Sequence, residues 1–129
     1  MSRDIENLED IKLMVDEFYG KVKMNPLIGP IFIGAIKDNW PAHLQKLYNF
    51  WETVLLGQRT YTGSPFVPHA QMPIEKKHFD VWLGLFYETV NTHFDGEKAN
   101  EAKLRATKMA EMFLHKINYF KEHPNQRAI

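Results

Sequence analysis

The sequence predicts an all-α protein, and three observations carry that expectation. Apolar residues recur every three to four positions through most of the chain, no segment alternates apolar and polar residues as a half-buried strand would, and two stretches dense in Pro and Gly punctuate the periodic text. With 129 residues, 44% of them hydrophobic and 13% aromatic, the chain can close one core without disulfides or a structural metal. One domain over 1–129 is expected, with its packed part at about 8–120 and a flexible tail at 121–129.

The first helix is set by Leu8, Ile11, Val15, Phe18, Tyr19 and Val22, with Asn7 as its N-cap and an end near Met24-Asn25-Pro26. The following PLIGPIFIGAI holds two prolines and two glycines in nine residues around Phe32, which suits tight turns and short helical pieces and reads as a corner. A second helix is expected from an N-cap at Asp38, with Pro41 in its first turn, through Trp40, His43, Leu47, Phe50, Trp51, Val54 and Leu55 to Gly57. The text QRTYTGSPFVPHAQMP, residues 58–73, contains Gly63, Pro65, Pro68 and Pro73, and permits at most one short helical turn around His69. The third helix, about 74–94, carries Phe79, Trp82, Leu83, Phe86 and Val90. The fourth, after Asp95-Gly96, carries Ala99, Ala102, Ala106, Met109, Ala110, Phe113, Leu114, Ile117 and Phe120. Four principal helices result, with no internal repeat or low-complexity tract.

Composition and motifs exclude several classes of function. Without cysteine there is no disulfide framework, thiolate metal site, iron–sulfur cluster or cysteine nucleophile, so any metal must be held by His or carboxylate. Sixteen basic and sixteen acidic residues cancel, so neither nucleic acid nor an anionic membrane is an expected partner. The start MSRDIENLEDIKLMV is charged from residue 3, and no 18-residue apolar run occurs, which leads to an expected cytoplasmic location. Neither Ser2 nor the ending NQRAI offers a lipidation signal, and no long heptad pattern calls for a dimer, so a monomer is expected. Glu75-Lys76-Lys77-His78 is a single Glu-x-x-His where a dinuclear carboxylate site needs two. His-Glu-x-x-His, Gly-x-Ser-x-Gly and phosphate-cradling glycine loops are all absent. A mononuclear site drawing on three of the six histidines stays open, with nothing in the spacing to favour it.

What remains is a surplus of aromatic and apolar residues around a few isolated histidines. A haem asks for this: a wide apolar slot, one neutral imidazole for the iron and an open sixth position. A helical bundle with an aromatic core and incidental histidines has the same composition, so arrangement must decide. His43 lies on the apolar stripe of the second helix, between Trp40 and Leu47, and points inward, where a histidine needs a partner. Tyr19 brings a phenol and Trp82 an indole N–H, so three helices could aim donors at one small ligand. His78 lies on the flank of the third helix beside Lys76 and Lys77 and reads as solvated. His69, with Phe66, Val67 and Met72 nearby, could be turned toward a cavity. The local pattern favours His69 as an iron ligand without closing the question.

At this point the ordered set of residues resembles a known family. Phe18-Tyr19, Gly29-Pro30-Ile31-Phe32, Trp40-x-x-His43, Phe50-Trp51, Leu55-Leu56-Gly57, Tyr61-x-Gly63-x-Pro65, His69-x-x-Met72-Pro73 and Phe79-x-x-Trp82-Leu83-x-Leu85-Phe86 together resemble the truncated haemoglobins, and within them the third group. The likeness spans roughly residues 8 to 120, and the lack of Gly-Gly pairs fits that group. It implies a two-over-two helical sandwich around haem b, with His69 as the proximal iron ligand and His78 an ordinary exposed residue. It also implies Phe32 packed on the porphyrin, Tyr19 and Trp82 as distal donors, His43 as a gate at the distal mouth and Leu47 on the distal wall, with Phe50, Tyr61, Met72 and Phe86 completing the cofactor's surroundings. One departure stands out: Val67-Pro68 precedes His69 where members often carry a basic residue for a haem propionate, leaving Arg59, Tyr61 and Lys76 as candidates.

The resemblance further implies reversible binding of O2, and of CO or NO, with slow release suited to oxygen or nitric oxide chemistry or to sensing rather than bulk transport. Nitric oxide dioxygenation or peroxidase-like turnover would need a separate reductase, because the chain has no reductase domain of its own. The readings from other classes are a haem-free helical interaction module and a non-haem metal protein.

Overall fold

The structure, a computed structural model, describes residues 3–61, 63 and 74–123. Five helices follow in order: α1 (Leu8–Met24), α2 (Gly29–Ile36), α3 (Trp40–Leu56), α4 (Lys76–His93) and α5 (Glu97–Glu122). They pack as two pairs, α1 with α3 and α4 with α5, joined where α1 lies against α4, while α2 rests on the end of α1. Among the described residues there is no strand, only an isolated bridge between Arg3 and Phe94.

Each helix end has a local cause. Asn7 caps α1, its side chain accepting the Asp10 N–H at 3.0 Å. The corner expected around Phe32 is a true helix of 8 residues. Asn25 prepares it by accepting the N–H groups of Leu27 and Ile28 on its side-chain oxygen, and Pro30 occupies the first turn, where no N–H is needed. Gly29 permits α2 to touch α1, because a Cβ there would lie 2.6 Å from the Lys23 carbonyl oxygen. The N-cap of α3 is Asn39 rather than Asp38, and it makes no side-chain capping bond; Pro41 alone supplies the start signal that was expected. Gly57 ends α3 in the left-handed region, φ 73°.

The start of α5 is capped from the far end of the sequence. Its N-cap is Gly96, which has no side chain to offer, and the Asp4 carboxylate takes that place by accepting the N–H groups of Lys98 at 2.9 Å and Ala99 at 2.8 Å. A Cβ on Gly96 would fall 2.6 Å from Asp4 Cγ, so glycine is required both by this approach and by its φ of 146°. Arg3 pairs with Glu6 and with the buried Asp10, tying it to the start of α1, while its carbonyl accepts the Asp95 N–H at 3.0 Å at the α4–α5 corner.

The core is aromatic. Phe86 lies between two indoles, stacked on Trp51 at 5.2 Å and on Trp82 at 5.8 Å, and Phe18 meets its edge at 5.1 Å. Ala99, Ala102, Ala106 and Ala110 recur along α5 and are all buried, which lets its backbone approach its neighbours.

Candidate functional site

Beside this core the helices enclose a cavity of about 350 Å3. Every described element contributes to its wall: Tyr19 from α1, Phe32 from α2, His43, Leu47 and Phe50 from α3, Trp82 from α4 and Phe113 from α5, with Tyr61 from the segment after α3. The volume is within the range of small-molecule and cofactor sites, and the wall has the mixture such sites need, many apolar faces and few polar groups. An apolar ring with polar edges, such as a porphyrin, fits that chemistry. Phe86 is the exception among the described residues expected at the cofactor: it is 1% exposed and stands behind Trp82 rather than on the cavity wall. His69 and Met72 lie outside the described residues.

Tyr19 is the central polar group. It is buried, and its ring stands 6.1 Å from that of His43 and 5.8 Å from that of Phe32, both edge to face. Burial pushes its phenol well above the ordinary value, and the nearby Trp82 side chain opposes that shift in part. The hydroxyl therefore keeps its proton and can donate to a ligand in the cavity. The indole of Trp82 brings one N–H donor to the same cavity wall. Tyr19 and Trp82 thus bring an O–H and an N–H donor to one cavity wall.

His78 corrects the sequence reading. It is half-buried rather than solvated, and its ring is part of the cavity wall. Its Nδ1 accepts the backbone N–H of Glu75 at 2.9 Å, closing the first turn of α4 as the third residue of a capping box usually does. The flank assignment from the apolar stripe holds, but this flank of α4 borders the cavity and not open solvent. The propionate candidates are also redistributed. Tyr61 is on the wall, while Lys76 pairs with Asp80 at 2.9 Å and neither it nor the exposed Arg59 reaches the cavity. Lys46 lines the cavity instead, and its position three residues after His43, on the same helix face, was the available signal.

Among the described residues no three His, Asp or Glu side chains come together to hold a metal ion, which leaves the three-histidine alternative without a site there. No helix among them is long and apolar enough to cross a membrane.

An all-α sandwich walled around an apolar cavity, with a phenol and an indole inside it, defines the class of haem-binding globins. Comparison with known proteins agrees: residues 4–118 match the family of bacterial-like globins, and the chain belongs to that family. It is 34% identical over 121 residues to the group 3 truncated hemoglobin ctb of Campylobacter jejuni, a match covering 91% of this chain and 95% of that one. The crystal structure of the group III truncated hemoglobin from Campylobacter jejuni superimposes with a TM-score of 0.82 at 34% identity, again over 91% of this chain and 95% of the other. The likeness to truncated haemoglobins is thereby borne out, the function is that of a haem-binding globin taking small diatomic ligands, and the haem-free helical module falls away.

Proposed function

We propose that the chain, as one domain, binds haem b in this cavity through His69 and holds O2, with CO and NO as alternative ligands, under a hydrogen bond from Tyr19. The observation that carries the reading is the pair of donors, the Tyr19 phenol and the Trp82 indole, inside a mostly apolar wall. Haem supplies the iron at which a diatomic gas binds. The protein's part is to exclude water, orient the ring and place a donor. Phe32, Leu47 and Phe50 provide apolar faces, and His43 stands across from Tyr19 where a ligand would pass.

The choice between the two histidines follows from the ring nitrogens. A metal-binding imidazole offers a free lone pair and commonly donates its other N–H to a second group. His78 does the reverse, since its Nδ1 lone pair accepts the Glu75 N–H and the proton of the neutral ring sits on Nε2. No lone pair remains for iron, which supports His69. Tyr19 donating to the negatively polarised end of a gas ligand is worth about 1.5–3 kcal/mol, so release would slow by roughly tenfold to over a hundredfold. Slow release suits oxygen or nitric oxide chemistry or sensing, with electrons supplied by a separate reductase. The test is the ferrous spectrum, with and without CO, of haemin-loaded wild type, His69→Ala and His78→Gln. Loss of the histidine-ligated spectrum in His69→Ala alone is expected; its loss in His78→Gln alone would transfer the iron to His78 and undo the distal assignments.

A further inference from the structure

His78 is left with one unused function. Its Nδ1 is committed to the N–H of Glu75, yet the half-buried ring forms part of the cavity wall, and the neutral imidazole must carry its proton on Nε2. No buried side-chain nitrogen lacks a partner among the described residues, so this N–H is accessible and can meet an acceptor that enters the cavity. A porphyrin is hydrocarbon over most of its rim, and the acceptors it offers away from the iron are its carboxylates. We infer that His78 donates from Nε2 to a haem carboxylate, fixing the rotation of the ring in the cavity while its other nitrogen caps α4. This inference rests on the haem reading above and adds a binding residue to it.

The residue type supports the assignment. At the third position of a helix the usual capping side chains are Glu and Gln, which accept the same backbone N–H. Glu at position 78 would satisfy α4 equally well and would set a second negative charge against the carboxylate. Histidine gives the same cap and adds a donor on its opposite side. Lys76, two residues earlier and basic, is turned to Asp80, so charge in the sequence points to the wrong residue.

The two roles can be separated by substitution. His78→Glu keeps a capping acceptor and removes the donor, whereas His78→Gln keeps both. The full-length protein is loaded either with haemin or with haemin dimethyl ester, whose carboxylates are masked, and transfer to excess apomyoglobin is timed. Haemin should leave His78→Glu about tenfold or more faster than wild type, a factor corresponding to one charge-assisted hydrogen bond. His78→Gln should stay within about threefold of wild type, and the dimethyl ester should erase the difference between His78→Glu and wild type. Thermal melts of the haem-free variants report whether the cap is intact. Equal haemin release from His78→Glu and wild type, or an acceleration that persists with the diester, overturns the carboxylate contact and leaves the haem reading standing. If wild type takes up neither haemin nor its diester, the haem reading fails and the contact with it.

Discussion

Helices α1 and α3 are both 17 residues long and both carry a continuous apolar stripe, yet α1 buries seven of its side chains and α3 only two, Trp51 and Leu55. The difference lies in what each stripe faces. That of α1 is closed by α3, α4 and α2, with Ile11, Met14 and Val22 fully buried. That of α3 turns His43, Leu47 and Phe50 to the cavity, where they remain half-buried. An apolar row left half-covered on an inner wall marks a place kept for a ligand, because a core with no such purpose would have collapsed onto it. Periodicity alone reads the two stripes as the same.

The strongest way to break this comparison is to truncate one aromatic on each side. Phe86 is enclosed by Trp51, Trp82 and Phe18, so Phe86→Ala should lower stability by about 3–5 kcal/mol with or without haem. Phe50 has the same side chain on the cavity wall, and Phe50→Ala should cost about 1 kcal/mol in the haem-free protein, with a larger loss once haem is bound. Urea unfolding of both variants, each with and without haem, measures the four values. Equal losses in the haem-free state would mean that the cavity face is ordinary core.

Next in size is the donor pair, since Tyr19 belongs to α1 and yet reaches the cavity. Tyr19→Phe should speed O2 release by about tenfold to a hundredfold, followed by stopped-flow. Trp82 stands on the same wall; if its indole acts by orienting the phenol, Trp82→Phe should have a smaller effect that largely disappears in the Tyr19→Phe background. Independent, additive effects would show that Trp82 reaches the ligand by itself.

How much of this was legible beforehand depended on whether the cause was local. The stripes of α1, α4 and α5, the Asn7 cap and the Gly57 stop are set by neighbours in sequence, and they were read correctly. The α2 helix was read as a corner because Gly29, Pro30 and Gly34 mask an 8-residue helix whose stability comes from seating on α1. His78 was placed on the correct flank of its helix, but that flank borders the cavity because of where the other walls stand, which no count along α4 contains. Asp4 capping α5 across 94 positions is the extreme case of the same limit.

That cap gives a smaller prediction on the closed side. Burial of the Asp4 carboxyl raises its proton affinity, but the N–H groups of Lys98, Ala99 and Ile5 together outweigh it and hold the group below its ordinary value. A carboxyl depressed in the folded state stabilises at pH above its unfolded value, near 3.9, and that contribution is lost as pH falls through the folded value. Asp4→Ala should therefore cost about 1 kcal/mol at pH 7, and the gap to wild type should narrow in melts taken below about pH 4. A gap that stays constant down to pH 2 would mean that the side chain packs rather than caps.

The smallest effect is expected at Lys76, on the first turn of α4 and beside the open side. Its ammonium pairs with Asp80 at 2.9 Å, one helical turn on, and both side chains are mostly in solvent. Such exposed pairs are worth about 0.3–0.5 kcal/mol and weaken with salt. Lys76→Ala should change the melting temperature by little more than experimental scatter and leave haem retention as in wild type. A large loss of haem retention without a loss of stability would show that Lys76 leaves Asp80 when the cavity is filled. The polar edge of the cavity would then extend to a residue that is turned away from it here, and the contrast between a settled core and a wall that ligand completes would reach one turn further along α4.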